Sequence, residues 1–141
     1  MNSLNTAQVI GNLTRDPEMK STQSGQPITT IGVATNRYWT DSNGQKKDEA
    51  EYHNVVMWGR LAEIAHQYLR KGMKVFFQGR LQTRSWEDDA GIKHFRTEIV
   101  ARDMIILSPK GEVANEELAV ATGKSEDNQE GILLSEDDID I

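Results

Sequence analysis

Aromatic rings interleaved with cations are the residues of this sequence most able to do chemistry. Side chains alternate faces along a strand. If Tyr52–Trp58 is a strand, Tyr52 and Trp58 share one face, with Val55 and Met57 on the other. If Lys74–Trp86 is a strand, Arg80, Arg84 and Trp86 share a face, opposite Val75, Phe77 and Leu81. Trp39 follows Arg37 and Tyr38 where an apolar stretch runs into a polar one. Rings of this kind stack unpaired bases at ~1–3 kcal/mol each, while neighbouring cations track phosphates. Every base has a π-face, so such a surface binds without reading sequence. The competing reading is that the rings fill a barrel. It is weakest for Trp39 and Trp86, whose neighbours are charged and polar, and it stays open for Phe76, Phe77 and Phe95.

These residues must be carried by a small β-domain. Ala7–Leu13 reads as a short strand, Arg15–Gln26 as a polar loop, and the β-branched run Pro27–Asn36 as a second strand. Asp41–Glu51 reads as a hydrophilic loop with a Ser-Asn-Gly turn signal, and Tyr52–Trp58 as the third strand. In Leu61–Arg70 the apolar residues Leu61, Ile64, Ala65, Tyr68 and Leu69 fall on one helical face, and Gly72 follows as a stop. Lys74–Trp86 and Lys93–Leu107 are two long strands around the hairpin loop Glu87–Gly91. Three strands, a helix and two strands is the order of an all-β, five-stranded OB-fold Greek-key barrel with its helix between strands three and four. An SH3-like barrel lacks that helix, and a ferredoxin-like domain needs two.

Charge divides the chain. Up to Ser108 there are 14 Lys+Arg against 12 Asp+Glu, a net of +2; from Pro109 onward there are 2 Lys against 10 acids, a net of −8. The overall charge of −6 therefore hides a mildly basic domain tied to an acidic tail. The expected organisation is a binding domain over 1–108, a disordered acidic linker over 109–131, and an interaction tip over 132–141. Residues 111–131 lack aromatics and a usable period, and cannot bury enough apolar area to offset backbone ordering of ~1–2 kcal/mol per residue. The tip, ILLSEDDIDI, sets apolar residues around acids, as a short linear motif does and a merely solubilising tail does not.

Four segments, GNLTRDPE (11–18), VATNRYW (33–39), EYHNVVMWGRLAEIAHQYLRKG (51–72) and GRLQTRSWEDDAG (79–91), closely resemble bacterial single-stranded DNA-binding proteins (SSB). The resemblance is collinear over about 4–107 and resumes at the C-terminus. It implies a homotetramer of OB folds that binds single-stranded DNA without sequence preference, and base stacking on Trp39, Tyr52, Trp58 and Trp86. Tyr52 stands where well-known members carry tryptophan, and Trp58 where they carry phenylalanine; stacking survives either exchange. His53 matches a subunit-contact position, against the alternative of an ordinary strand histidine. Candidate phosphate contacts are Arg15, Arg37, Arg60, Lys74, Arg80 and Arg84, each also readable as a solvated surface charge. The partner-binding tip is Asp137, Asp138, Ile139, Asp140 and Ile141, with Asp-Ile where the family usually ends in Pro-Phe. The resemblance further implies recruitment of replication, recombination and repair proteins through that tip.

Other chemistries fare poorly. The sequence has no cysteine, and His53, His66 and His94 show no ligand or triad spacing, so neither an enzyme nor a metal site is expected. Gly123-Lys124-Ser125 imitates the end of a phosphate loop, but Leu118 stands where that motif needs glycine. Asn12-Leu13-Thr14 is a glycosylation sequon by letters only. Asp137, Asp138 and Asp140 lack calcium-loop spacing. An OB-fold adaptor that binds proteins or structured RNA is the remaining rival, opposed by the aromatic–arginine face. No cofactor and no membrane partner are expected, and the N-terminus has no apolar run suited to a signal or anchor. The expected location is cytoplasmic and nucleoid-associated.

Overall fold

The computed structural model describes residues 2–108 and the backbone of 132–135. The strands are β1 (Ala7–Leu13), β2 (Glu18–Ser21), β3 (Pro27–Thr40), β4 (Lys46–Trp58), β5 (Lys74–Glu87), β6 (Lys93–Ile106) and β7 (Ile132–Ser135), and helix α1 (Gly59–Tyr68) lies between β4 and β5. Strand order is β1-β5-β6-β4-β3-β2, and β1 also pairs β3 through Asn12↔Ala34 and Leu13↔Val33. That last pairing closes the circuit β1-β5-β6-β4-β3 into a five-stranded barrel, the OB architecture expected from the sequence. Its one parallel contact joins β4 to β6 at Val55↔Ile99 and Val56↔Val100.

The core follows from strand alternation. Ile31, Val33, Val55, Met57, Val75, Phe77, Ile99 and Ala101 are buried, all of them odd-numbered residues. β6 then changes parity, because Asp103 and Ala101 oppose Gln78 and Gly79, which makes Arg102 the extra residue of a bulge. Met104 and Ile106, which are even-numbered, consequently also turn into the core. α1 plugs one end of the barrel with Leu61, Ala62, Ile64 and Ala65. The buried Thr29 hydroxyl ties it down by donating to the Ala62 carbonyl at 2.6 Å.

Several boundaries differ from the sequence reading. The loop expected at Asp41–Glu51 shrinks to a turn, because β3 extends to Thr40 and β4 begins at Lys46 in one unbroken register. The polar loop Arg15–Gln26 contains β2, which pairs the start of β3. Leu81 is exposed rather than part of the aliphatic core, because β5 runs past the barrel there. Ile132–Ser135, inside the expected tip, pairs antiparallel with Asp103–Ile106. The linker 109–131 and the tip residues Asp137, Asp138, Ile139, Asp140 and Ile141 lie outside the described residues. Among the described residues no helix is long and apolar enough to cross a membrane.

Candidate nucleic-acid interface

Two long hairpins, β3–β4 and β5–β6, project beyond the barrel and carry most of the candidate residues. Their registers decide what shares a surface. Tyr52, Asn54, Val56 and Trp58 occupy the outer face of β4. The parallel pairing of β4 with β6 puts His94, Arg96 and Glu98 on that same outer face, and Arg80, Arg84 and Trp86 join them from β5. The structure therefore brings together three of the four expected stacking residues and the two expected arginines of β5.

Trp39 does not belong to this face. The β3–β4 register runs without a break from Ile28↔Trp58 to Thr40↔Lys46, so Trp39 shares alternation with Val33 and Thr35. It lies on the opposite side of the hairpin from Tyr52. There it has its own surroundings, an open pocket of about 280 Å³ shared with Tyr38, Lys46 and Lys47.

Both distal tryptophans are backed on one side. The Arg37 guanidinium sits 4.8 Å from the Trp39 ring centroid, a cation–π contact, and Trp39 stays 37% exposed. The His94 ring stacks on Trp86 with centroids 5.6 Å apart and planes at 21°, and Trp86 stays 47% exposed. Rings held from one side with exposure remaining are suited to take a flat ligand on the other. Tyr52 is open to solvent, whereas Trp58 is half-buried where β4 enters α1.

The cations fall into three groups. Arg15 lies over Gly32, close enough that a Cβ there would stand 3.2 Å from its guanidinium and 2.5 Å from the Thr14 hydroxyl. Only glycine leaves that space. Gly32 pairs with Asn54, whose side-chain oxygen accepts from Arg96 at 3.3 Å, so Arg15 and Arg96 both sit on the aromatic face. Arg80 is exposed there too. Arg84 is engaged differently: its Nε and Nη2 donate to the two oxygens of Glu98 at 2.6 and 3.1 Å. Glu98 is 3% exposed, so Arg84 neutralises a buried carboxylate before it can offer charge to a ligand. Arg60 pairs with Glu63 on α1, and Lys74 stands at the far end of β5.

His53 sits half-buried, with Nε2 2.9 Å from the Thr35 hydroxyl. It lines a cleft of about 390 Å³ with Ala7, Val9, Leu81 and Ile99, which Tyr52 and Glu98 also border. Among the described residues no cluster of His, Asp and Glu is arranged to hold a metal ion.

Sequence reasoning missed Lys46, Lys47, Arg96 and His94. The two lysines were hidden inside a supposed loop, because Lys46–Glu51 is strongly hydrophilic and carries no alternation that would mark a strand. Arg96 and His94 acquire meaning only from the β5–β6 register, which pairs Arg84 with Arg96 and Trp86 with His94.

The β5–β6 turn is built on Asp88. Its Oδ1 accepts from the backbone N–H groups of Ala90 and Ile92, each at 2.9 Å, and its Oδ2 accepts from His94 Nε2 at 2.8 Å. The His94 hydrogen bond first, then that of Ile92, holds the Asp88 carboxyl below its ordinary value of 3.8. A depressed carboxylate stabilises the fold above its unfolded value, and that support is lost as pH falls through the folded one. The Ala90 and Ile92 amide resonances should therefore hold steady down to the ordinary aspartate range and move only below it. In Asp88→Asn they should already be displaced at neutral pH and should not titrate.

The sequence profile of the Single-strand binding protein family matches residues 4–107. Single-stranded DNA-binding protein 1 of Chlorobaculum tepidum is 46% identical over 108 residues, covering 76% of this chain and 67% of the relative. Single-stranded DNA-binding protein 1 of Xylella fastidiosa is 43% identical over 111 residues, covering 78% and 82%. Among solved structures, the Plasmodium falciparum SSB complex with ssDNA superposes with a TM-score of 0.71 at 32% identity, covering 77% of this chain and 98% of that one. With the profile spanning the whole barrel and both hairpins, the chain belongs to the single-strand binding protein family.

Proposed function

We propose that this protein binds single-stranded DNA without sequence preference and without catalysis. The observation that carries the reading is the outer face on which Tyr52, Trp58 and Trp86 lie among Arg15, Arg80 and Arg96. Rings give bases a stacking surface and the arginines meet phosphates, a combination blind to sequence. Trp39, with Arg37, Lys46 and Lys47 beside it, adds a second station. Noncatalytic binding agrees with the family, whose relatives are named for the single strand they bind.

The finer parts of the reading rest on chemistry and family likeness together. Coating of exposed strands serves replication, recombination and repair. The His53 cleft is the proposed contact in a homotetramer. The tip Asp137–Ile141 is the proposed dock for partner proteins, and its acids compete with DNA for the basic face. The −8 against +2 division of charge supports that competition.

The deciding experiment titrates the full chain with oligo-dT and with duplex DNA, following tryptophan emission at two salt concentrations. Strong quenching by dT, weakened by salt and absent with duplex, is the expected result. No response to dT would transfer the face to an adaptor role. Removal of 132–141 should tighten dT binding at low salt and matter less at high salt, as screening requires. Unchanged affinity at low salt would remove the competition.

A further inference from the structure

We propose that His94 is a positioning residue that sets the Trp86 ring for base stacking, with Asp88 as the fixed point from which it does so. The proposal deepens the stacking reading of Trp86 and rests on it.

Three observations form one chain. Asp88 is held by the turn: its backbone N–H donates to the Ile92 carbonyl at 2.9 Å, its carbonyl accepts from Gly91 at 2.9 Å, and its Oδ1 takes two more amides. The remaining carboxylate oxygen accepts from His94 Nε2 at 2.8 Å, which fixes the imidazole plane. His94 stands directly opposite Trp86 in the register, and its fixed plane lies 21° from the indole. The orientation of Trp86 is thus referred, through one side chain, to the backbone of a closed turn.

This arrangement has a consequence for binding. Trp86 is at the penultimate position of β5, past the core, where nothing buried holds it. An indole on an exposed hairpin loses rotamer freedom when a base stacks on it, and that loss subtracts from affinity. A ring already held by His94 has surrendered the freedom beforehand. The imidazole also occupies one indole face, so a base takes the other, and the ring contributes one stacking site rather than two. The charged groups around the imidazole are Asp88 from the turn, Glu87 and Arg84 from β5, and Lys93 and Arg96 from β6. Asp88 is the one bonded to it.

The test uses the full chain. His94→Ala and Asp88→Asn should each weaken oligo-dT binding about three- to tenfold, as expected for loss of an aromatic pair. His94→Phe, which keeps a stacking ring but loses the hydrogen bond to Asp88, should recover only part of the loss. His94→Gln, which keeps a donor without a ring, should not recover it. A second readout isolates the ring: with Trp39→Phe and Trp58→Phe in place, emission anisotropy decay reports the mobility of Trp86 alone. Mobility should rise in His94→Ala and fall only part of the way back in His94→Phe, with unchanged melting temperatures. Unaltered mobility in His94→Ala overturns the proposal. So does a His94→Ala defect that persists in full when Trp86 is already alanine, because His94 would then be acting on DNA directly. Wild-type affinity of Trp86→Ala would instead remove the stacking reading, while the mobility measurement still decides whether His94 holds the ring.

Discussion

Trp39→Ala and Trp86→Ala should each weaken binding to oligo-dT by about 1–3 kcal/mol, a loss of roughly 5- to 150-fold. Both rings sit on hairpins beyond the barrel and remain partly exposed, so their removal should leave the melting temperature nearly unchanged. The two losses should add, because the residues belong to separate hairpins and share no contact described in the structure. Labelled dT titrated with each variant and with the double variant measures this. Wild-type affinity in both single variants would end the base-stacking assignment. Trp58→Ala should behave differently, lowering stability along with affinity, because that ring is half-buried at the entry to α1.

Gly79→Ala should be the most destabilising single methyl addition in the domain, costing about 3 kcal/mol or more. A Cβ at Gly79 would collide with the Val100 carbonyl oxygen and also stand 2.8 Å from the Ala101 Cα. Both obstacles are backbone, so neither can turn aside as a flexible side chain would. The collision falls beside the β6 bulge, where β5 and β6 pair within the barrel wall. The urea midpoint, read with the slope of the transition, reports the effect. An unchanged midpoint would mean that the two strands do not approach so closely in solution.

The barrel was legible because its signals are local and repeat. The β-branched run Pro27–Asn36, the alternation in Tyr52–Trp58 and Lys74–Trp86, and the helical spacing from Leu61 to Leu69 are short-range patterns that tertiary packing did not override. The hairpin arms were harder to see. Lys46–Glu51 is strongly hydrophilic, and its strand character comes from pairing with Thr35–Thr40 rather than from burial. The same limit explains the site. Tyr52, Trp58, Trp86, Arg80 and Arg84 could be placed on faces strand by strand, and the structure joins those faces into one. That Trp39 falls on the opposite face, that Glu98 occupies Arg84, and that His94 backs Trp86 all depend on registers between strands. Alternation within one strand carries no information about its partner.

The placement of Trp39 on one side of the β3–β4 hairpin and Tyr52 on the other has a mechanical side. A polymer touching both must turn around the edge of a two-stranded ribbon. An unpaired strand does this by rotating backbone torsions. A duplex has a persistence length of about 50 nm, and bending a short site even moderately costs on the order of 1–6 kcal/mol before any base pair opens. Preference for unpaired over paired DNA can thus arise from stiffness alone, with the hairpin serving as a mandrel that only a compliant chain can follow.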